Sequence, residues 1–472
     1  MRSTKRLTKI VATVGPASAD ESTLAELIAA GVDVVRINSS HGSPEIWTEW
    51  IASVRRVSDA ADRHVGVLLD LQGPRIRVGV LPEPIDLHED AEVVFAPEDS
   101  ANRSEIPTTY EDLWKDVAPG KTILMDDGLL SVEVTEVNGD RVVGIVRHGG
   151  ALKSNKGMNL PGSKVSAPTL TAVDRKHLQT AVEHGVEFVG ISFVRSAEDV
   201  EIVRGLVPAE TALVAKIETT PAVDDLERIL EVSDGVMVAR GDLGVELPFE
   251  KVPITQKKLI SAANRKACPV ITATQMLDSM IRHPRPTRAE ASDVANAILD
   301  GTDSVMLSGE TAVGEYPVGA VRALARIIEE VERTAPRTRV TRRSDLADRG
   351  ESGKAANAIA YATTAAADML DAPFIVCLTK SGFTARQIAA FRPSTPILGL
   401  SPEVSTCRTL SLVWGVTPIL VQGTPTYDAV LGQARHLLAE KRLVKPGDNI
   451  AVTAGVPFHV AGTTNLLKVE TI

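Results

Sequence analysis

The chain has 472 residues, of which 44% are hydrophobic, 24% are charged and only 3% are aromatic, and its formal net charge is −10. This length predicts two or three domains, and the aliphatic composition is typical of a globular protein. The acidic balance and the few aromatic side chains argue against nucleic acid as the main partner, because they imply neither a broad basic face nor a base-stacking surface.

The cysteines and the amino-terminal segment bear on where the protein works. Its three cysteines, Cys268, Cys377 and Cys407, lie far apart, and no C-x-x-C occurs, which disfavours a zinc site or a disulfide framework. The amino-terminal apolar run is too short for a secretory leader and is interpreted as a first strand. No apolar stretch reaches the roughly 20 residues that a membrane span needs. We therefore expect a cytoplasmic protein with reduced thiols and no membrane partner.

Short apolar runs recur along the first two thirds of the chain and alternate with helical patterns. The eight predicted strands are Lys9–Gly15, Val34–Asn38, Val65–Asp70, Phe188–Phe193, Ala212–Ile217, Val236–Ala239, Val270–Thr274 and Ser304–Leu307. Eight such repeats favour an α/β fold with a (β/α)₈ TIM barrel. A doubly wound open sheet is the structural alternative.

Two regions do not follow the barrel pattern. Residues 73–165 contain short alternating strands with turns at Asp127-Gly128 and Asn138-Gly139, which predicts an inserted small β-barrel domain that serves as a lid. The charged stretch 334–354 is interpreted as a linker or an exposed arm, and residues 336–472 as a carboxyl-terminal α/β domain. Residues 1–72 and 166–335 would then form the barrel.

The stretch from residue 212 to residue 256 carries the strongest signal for chemistry. Two apolar runs, Ala212–Ala215 and Val236–Ala239, each end in charged residues. The carboxyl ends of neighbouring parallel strands are where barrel and doubly wound folds place their sites. Glu218 and Asp242 together are suited to a divalent metal, and Lys216 would add positive charge for an anion. The alternative is a set of surface ion pairs at strand ends.

Seven segments that fall at the predicted strand ends carry a resemblance to a known family. They are 34-VVRINSSHG-42, 69-LDLQGPRIR-77, 216-KIETT-220, 239-ARGDLG-244, 271-ITATQML-277, 284-PRPTRAE-290 and 306-MLSGET-311. In this order, and over nearly the whole chain, they resemble the pyruvate kinase family. The inserted lid and the carboxyl-terminal domain follow the same family plan.

The resemblance implies phosphoryl transfer from phosphoenolpyruvate to ADP, which gives pyruvate and ATP in glycolysis. The implied cofactor is Mg²⁺, bound by Glu218 and Asp242, with Mn²⁺ as a possible substitute. Lys216 would bridge the transferred phosphoryl group and the enolate. The implied substrate-binding residues are Arg36, Lys216, Gly241, Asp242 and Thr274.

The resemblance also implies a nucleotide site and a proton-delivery network. The residues that would face the nucleotide are Arg36, Asn38, His41, Arg77 and, from the lid, Lys156. Ser308 and Glu310 would belong to the network that protonates the enolate, a job that a water chain could also do. Structural alternatives stay open: Arg36 and Arg77 could pair with acidic neighbours, His41 or Ser40 could cap a helix, and Thr274 could be an ordinary buried hydroxyl.

One segment departs from the usual family pattern. Many members read LDTKGPEIR at 69–77 and bind K⁺ with an Asn, a Ser, an Asp and a Thr carbonyl. This chain keeps Asn38, Ser40 and Asp70, places Leu71 at the carbonyl position, and carries Arg75 instead of the usual glutamate. We expect that K⁺ is not required, because the guanidinium supplies positive charge beside a vestigial pocket. In the rival arrangement Arg75 points to solvent and K⁺ still binds.

The carboxyl-terminal domain carries a candidate effector loop. Its residues Thr379, Lys380, Ser381, Gly382 and Thr384 fit the family's phosphate-binding loop, which opens a helix. The effector would be fructose 1,6-bisphosphate, a sugar monophosphate or AMP, and the alternative is a plain strand–loop–helix connection. Family analogy implies a homotetramer. Two other functions stay open, an aldolase-like Mg²⁺-enolate barrel enzyme and an inactive metabolite sensor.

Overall fold

The computed structural model describes residues 6–163, 165–334, 354–422, 427–440, 442–456 and 463–472. The chain opens with alternating strands and helices: β1 (Lys9–Val14), α1 (Glu21–Ala30), β2 (Val34–Asn38), α2 (Pro44–Ala60) and β3 (Gly66–Asp70). Every residue of β1 and β3 is buried, as expected for strands with side chains inside a barrel on one face and helices on the other.

The chain then leaves the barrel and forms the inserted β domain, called the lid below. Its elements are β4 (Ile85–Leu87), β5 (Glu92–Pro97), β6 (Ile106–Thr108), α3 (Leu113–Asp116), β7 (Thr122–Met125), β8 (Leu130–Asn138), β9 (Arg141–His148), β10 (Gly150–Leu152) and β11 (Met158–Asn159). They form a six-stranded sheet in the order β11-β7-β8-β9-β5-β6 and a two-stranded sheet, β10-β4. The β7–β8 and β8–β9 hairpins turn at Gly128 and Gly139, which have φ angles of 83° and 62°, in the left-handed region that glycine adopts without strain.

The barrel resumes after the lid. Its remaining elements are α4 (Ala172–Glu183), β12 (Phe188–Ile191), α5 (Ala197–Arg204), β13 (Ala212–Ile217), α6 (Thr220–Asp224), α7 (Leu226–Val232), β14 (Gly235–Ala239), α8 (Arg240–Glu246), α9 (Val252–Arg265), β15 (Val270–Ala273), α10 (Arg288–Leu299), β16 (Ser304–Leu307), α11 (Gly309–Ala312) and α12 (Pro317–Thr334). The strands close in the order β1-β16-β15-β14-β13-β12-β3-β2, and every pair is parallel. The predicted TIM barrel is confirmed, and the open sheet is wrong.

The two connections between barrel and lid meet at one buried carboxylate. Asp174, in the first turn of α4, accepts hydrogen bonds at Oδ1 from the backbone N–H groups of Gln72 and Gly73, at 3.0 and 3.2 Å. Its Oδ2 accepts from the backbone and the hydroxyl of Thr171, at 3.0 and 2.7 Å. Gly73 has φ +70°, and a Cβ there would lie 3.0 Å from Phe193 and Ser192, so the outgoing connection is tightly packed. Both ends of the lid hinge are therefore held by Asp174.

The carboxyl-terminal domain is a separate sheet with helices on its faces. Its elements are α13 (Lys354–Met369), β17 (Ile375–Leu378), α14 (Phe383–Ala389), β18 (Ile397–Ser401), α15 (Val404–Thr409), β19 (Val416–Leu420), α16 (Tyr427–Glu440), β20 (Asn449–Ala454) and β21 (Leu466–Thr471). The strand order is β19-β18-β17-β20-β21, with β21 antiparallel to β20. The predicted linker falls mostly on residues 335–353, which lie outside the described residues.

This domain packs against the amino-terminal end of the barrel. Leu412 joins the cluster of side chains that fills the barrel interior, together with Phe188 and Ala212 at the starts of β12 and β13. A buried ion pair joins Arg392 to Asp303, at 2.8 Å, just before β16. The face opposite the carboxyl ends of the strands is thus closed by the carboxyl-terminal domain.

Candidate active site

Four charged side chains meet where β2, β3 and β13 end. Arg36 contacts Asp70 Oδ2 through Nε at 2.8 Å and through Nη2 at 2.6 Å. The Lys216 ammonium lies 3.3 Å from Asp70 Oδ1 and 2.9 Å from Glu218 Oε1. All four residues are at most 9% exposed. The structural alternative for Arg36, a pair with an acidic neighbour, is present as this contact, but the pair lies inside a buried charge cluster at the barrel mouth.

Burial and neighbouring charges oppose each other in this cluster. Burial alone would raise the pKa of Asp70, but Lys216 and Arg36 hold that pKa below its usual range. Burial would lower the pKa of Lys216, but Asp70 and Glu218 raise it instead. For Glu218 burial prevails over Lys216 and raises the pKa to about 7. The cluster therefore keeps a firmly charged lysine beside a carboxylate that lacks sufficient positive charge around it.

Ser192, just after β12, is the third residue in contact with the Lys216 ammonium. The sequence analysis did not predict it as a site residue. Its hydroxyl accepts a hydrogen bond from Lys216 Nζ at 2.7 Å and donates one to the Leu71 carbonyl at 2.7 Å. The next residue, Phe193, has φ 54° and donates its backbone N–H to Glu218 Oε2 at 2.7 Å. Lys216 thus contacts Ser192, Glu218 and Asp70, but Asp70 Oδ1 has no hydrogen-bond partner among the described residues, so the ammonium can turn from it to an incoming anionic oxygen.

Thr274 and Gly241 come together at the ends of β15 and β14. The Gly241 backbone N–H donates to Thr274 Oγ1 at 2.8 Å, and Thr274 Oγ1 donates to the Ala273 carbonyl at 2.7 Å. Thr274 has φ 67°, an unusual conformation for a β-branched residue and one that clusters at functional sites. Arg240 holds it in place by donating to the Thr274 carbonyl at 2.6 Å and pairing with Asp293. Thr274 is half-buried and its hydroxyl contacts only backbone groups, so its role as a substrate ligand stays a prediction.

Glu310 and Ser308 form a separate group beyond β16. The Glu310 carboxylate accepts hydrogen bonds from the backbone N–H groups of Leu277 and Ser308, at 3.0 and 2.7 Å. Glu310 is 2% exposed, and burial raises its pKa. These contacts join the loop after β15 to the loop after β16. They give Glu310 a structural task at the barrel mouth whether or not it moves protons.

The lid covers a cavity of about 390 Å³ at the barrel mouth. Arg75, Arg77 and Lys156 line it from the lid side, and Asp242 and Glu246 line it from α8. Lys156 pairs with Asp126 at 2.6 Å, and Arg77 donates to the Asn155 carbonyl at 2.8 Å. Burial, and then the nearby Arg75 charge, lower the pKa of Arg77. Glu246, which the sequence did not single out, is buried enough to raise its pKa to about 7.

Three residues predicted to face the nucleotide, Arg36, Asn38 and His41, do not line this cavity. Asn38 is the last residue of β2, and His41 lies in the turn after it, where the His41 backbone N–H donates to the Asn38 carbonyl at 3.1 Å. The alternative in which His41 or Ser40 caps α2 is wrong, because the N-cap residue is Ser43.

The predicted vestigial cation pocket is partly occupied by protein contacts. Asn38 Oδ1 accepts from the Ser40 backbone N–H at 3.2 Å, and the Leu71 carbonyl accepts from Ser192. Asp70 Oδ2 is bound by Arg36, whereas Asp70 Oδ1 lies 3.3 Å from Lys216 and has no hydrogen-bond partner among the described residues. In the part of the chain that the structure describes, the buried Ser40 hydroxyl has no hydrogen-bond partner. Arg75 is exposed at the cavity wall, and within the described ranges its side chain has no acceptor partner.

A divalent cation at this site would take few protein ligands. Asp242 lies close enough for its charge to raise the pKa of Glu218, in addition to the larger effect of burial. Among the residues that the structure describes, no group of three or more His, Cys, Asp or Glu side chains could hold a metal ion. Two carboxylates that leave the other positions to water and substrate oxygens are the donor set that Mg²⁺ favours.

The candidate effector loop connects β17 to α14. Thr379 and Thr384 are buried, and the Thr384 hydroxyl is hydrogen-bonded to that of Thr464 at 2.9 Å. Lys380 and Ser381 are exposed, and Gly382 has φ 78° at the helix N-cap. The side chains predicted to bind a phosphate therefore divide into two buried threonines that fix the loop and two exposed residues that can reach a ligand.

The fold is a closed (β/α)₈ barrel. A cluster of buried acidic and basic side chains lies at the carboxyl ends of its strands, beneath the inserted lid. These features define a TIM-barrel enzyme. Comparison with known proteins gives the family. The pyruvate kinase barrel domain matches residues 5–321, and the pyruvate kinase alpha/beta domain matches residues 357–470. The chain belongs to the pyruvate kinase family and is an enzyme of that family.

Individual pyruvate kinases align with this chain over nearly its whole length. It is 44% identical to a pyruvate kinase from Agrobacterium vitis over 470 residues, with 99% of this chain and 97% of the relative covered. It is equally identical to pyruvate kinase 2 of Synechocystis sp., of which it covers 79%. A crystal structure of a pyruvate kinase from Cryptosporidium parvum superposes with a TM-score of 0.94 at 35% identity, covering 99% of this chain and 96% of that one. Within the described part of the chain, helices long and apolar enough to cross a membrane are absent.

Proposed function

We propose that this protein transfers the phosphoryl group of phosphoenolpyruvate to ADP, giving pyruvate and ATP. The observation that carries the proposal is the buried cluster of Arg36, Asp70, Lys216 and Glu218 beneath the lid cavity. Phosphoryl transfer needs positioned charges around the moving group more than it needs covalent chemistry. Two cations held by buried carboxylates, next to a cavity lined by further cations, supply such charges.

The basic residues of the cluster have distinct tasks. Arg36 uses three of its five donors on Asp70 and Thr13, which leaves two for phosphate oxygens. Lys216 would exchange one of its three contacts for an oxygen of the substrate. Its contact with Asp70, at 3.3 Å, is the longest of the three and is the one we expect to be exchanged. Both side chains are oriented by Asp70 before the substrate arrives, so the charge that stabilises the transferred group is preorganised.

Thr274 and the backbone N–H groups around Gly241 are suited to the substrate carboxylate. The Gly241 N–H donates to the Thr274 hydroxyl, which in turn donates to the Ala273 carbonyl, so both donors would turn from these partners to the substrate carboxylate. Arg240 and Asp293 fix the Thr274 backbone and so hold this donor pair in place. From the lid, Lys156 and Arg77 would contact the phosphates of the nucleotide, because both line the cavity. In the same proposal Asn38 and His41 contact the nucleotide from the turn after β2.

Glu218 and Asp242 would hold Mg²⁺, or Mn²⁺ in its place. The fit rests on Glu218, whose burial leaves it short of positive charge, and on the two-carboxylate donor set. When bound, the ion would neutralise charge on the substrate carboxylate and the enolate oxygen. Ser308 and Glu310 would belong to the network that delivers a proton to the enolate.

We also propose that K⁺ is not required. Asp70, which would carry the negative charge of a cation pocket, is paired with Arg36 through Oδ2 and lies 3.3 Å from Lys216 through Oδ1. Arg75 adds a further positive charge at the cavity wall. The rival arrangement draws on two buried oxygens that have no hydrogen-bond partner among the described residues, Ser40 Oγ and Asp70 Oδ1. K⁺ could use them as ligands together with Asn38 and the Leu71 carbonyl.

The proposal also covers how the enzyme is regulated, where in the cell it works and its oligomeric state. A phosphorylated effector would bind at the loop of residues 379–384 and act through the contacts between the carboxyl-terminal domain and the barrel. The protein would work in the cytoplasm as a homotetramer.

The experiment is the rate of pyruvate formation from phosphoenolpyruvate, ADP and Mg²⁺ in a K⁺-free buffer and again with K⁺ added. Equal rates support both the activity and the role of Arg75. Activity only with K⁺ keeps the activity and overturns K⁺ independence. The absence of activity in both buffers, with sugar phosphates and AMP present, would move the assignment to an aldolase-like enzyme or an inactive sensor.

A further inference from the structure

The loop after β12, residues 192–195, is called the β12 loop below, and its first half contacts two charged groups of the active site. The Ser192 hydroxyl accepts a hydrogen bond from Lys216 Nζ at 2.7 Å. The Phe193 backbone N–H donates to Glu218 Oε2 at 2.7 Å. The positions of the ammonium and of the carboxylate therefore depend on where this loop lies.

The second half of the β12 loop is fastened to the segment that returns from the lid to the barrel. Arg195 donates through Nη1 to the Val165 carbonyl, and through Nη2 to the Thr169 hydroxyl at 3.1 Å. Asp199, in the first turn of α5, accepts from the Arg195 backbone N–H at 2.8 Å and pairs with its Nε at 3.4 Å. The Val165 side chain packs against the hydrophobic core of the lid. Arg195 therefore joins the lid to the β12 loop.

Phe193 lies between these two attachments in an unfavourable backbone conformation. Its φ angle of 54° is in the left-handed region, which residues with a Cβ avoid unless the surrounding contacts hold them there. On one side, Ser192 donates to the Leu71 carbonyl, in the connection that leads out to the lid, at 2.7 Å. On the other side, Arg195 binds the returning segment. Loss of the Arg195 attachment would let Phe193 relax and would turn its N–H away from Glu218.

A purely structural arginine lies nearby and gives a comparison. Arg204, at the end of α5, donates to the Thr211 carbonyl at 2.8 Å and pairs with Asp234. Both of these contacts lie before the first residues of β13 and β14, at the end of the barrel opposite the active site. Arg195 instead lines the cavity at the barrel mouth, two residues from the N–H group that binds Glu218.

We propose that Arg195 is a positioning residue for phosphoryl transfer, which transmits the position of the lid through the β12 loop to Glu218 and Lys216. The inference rests on the proposed function and goes beyond it, because it gives the lid a second task besides covering the substrate. A shift of the lid moves the carbonyl and the hydroxyl that Arg195 binds, and the Phe193 N–H then shifts against Glu218. The charges around the transferred group are therefore aligned at one position of the lid.

The test compares Arg195→Met with the matched control Arg204→Met in the full-length protein. The first readout is hydrogen–deuterium exchange at the Phe193 amide, read from overlapping peptides, without substrates or metal. Arg195→Met should speed this exchange about tenfold or more, because the hydrogen bond to the Glu218 carboxylate is loosened. Arg204→Met should exchange there as the parent does.

The second readout is steady-state kinetics. Arg195→Met should lower kcat about tenfold or more, since a small misplacement of positioned charges is costly in the transition state. The KM for phosphoenolpyruvate should change much less than kcat, because Arg195 acts on the alignment of the charges and does not bind the substrate. Arg204→Met should keep the parental kcat.

A second pair of variants keeps the test decisive if Arg195→Met does not fold. Thr169→Val removes the hydroxyl that accepts from Arg195 with little change in side-chain size, and Thr169→Ser keeps that hydroxyl. The valine variant should show faster exchange at Phe193 and a lower kcat, and the serine variant should match the parent in both.

Three results would overturn the inference. They are parental exchange at Phe193 in a folded Arg195→Met protein, a lowered melting temperature with parental kcat, and an equal loss of kcat in Arg204→Met. A different result separates this inference from the proposed function. A parent that makes no ATP, with faster Phe193 exchange in Arg195→Met, would overturn the proposed function and uphold the link between the lid and the β12 loop.

Discussion

Lys216→Met removes the positive charge at the centre of the cluster while keeping a side chain of similar length. In the parent protein the ammonium contacts Ser192 at 2.7 Å, Glu218 at 2.9 Å and Asp70 at 3.3 Å. The first effect is on rate. Removing one preorganised charge of this kind typically costs about 10²–10³ in turnover, or roughly 2.7–4 kcal/mol of transition-state stabilisation.

The second effect is on stability, and the structure indicates its size. Breaking a buried ion pair costs roughly 3–5 kcal/mol when it leaves a charge without compensation. Here Asp70 keeps two contacts with Arg36, and Glu218 keeps the Phe193 N–H at 2.7 Å. Glu218 can also take up a proton, since its pKa is about 7 even with Lys216 present. We therefore expect a loss near the lower end of that range, about 3 kcal/mol.

The assay combines steady-state turnover with a denaturant melt on the same preparation. Lys257, an exposed lysine that pairs with Asp300 on the barrel surface, gives the matched control Lys257→Met, which should keep parental turnover. A folded Lys216→Met protein that turns over within a few-fold of the parent would refute the reasoning and remove Lys216 from the mechanism.

Three further substitutions test other parts of the site. Arg75→Glu should make activity depend on added K⁺, because it replaces the built-in positive charge at the cavity wall with a carboxylate; a variant equally active without K⁺ would contradict the proposed role of Arg75. Ser192→Ala should lower kcat about tenfold or more through loss of its hydrogen bond to the charged Lys216, and the argument fails if kcat is unchanged. Asp174→Ala should destabilise the protein by about 2 kcal/mol or more and speed hydrogen exchange at the Gly73 amide, since Asp174 holds both lid connections. Exchange at the parental rate would show that Asp174 does not control the hinge.

The sequence predicted those parts of the fold that follow from local pattern. Each barrel strand contains a short apolar run. The charged residues Lys216 and Glu218 come directly after one such run in the sequence. The lid was predictable from its turn residues, Gly128 and Gly139. Both have a positive φ angle, a backbone conformation that glycine adopts without strain and most other residues avoid.

Other features of the active site depend on contacts between residues that are distant in the sequence. The local sequence pattern does not predict such contacts. Asp70 and Lys216 belong to strands separated by the whole lid, so their pairing became visible only once the barrel had closed. Ser192 sits in an apolar context that gives no sign of its hydrogen bond to Lys216. The raised pKa of Glu218 comes from burial, which is a property of the assembled barrel mouth.

The proposed phosphoryl transfer is tested most directly by following the phosphorus atom. Phosphoenolpyruvate, ADP and Mg²⁺ would be incubated with the enzyme, and ³¹P NMR would record the loss of the substrate signal and the rise of the ATP γ-phosphate signal. The account predicts ATP and pyruvate in equal amounts. Pyruvate with free phosphate but no ATP, or consumption of pyruvate in a carbon–carbon bond reaction, would contradict it.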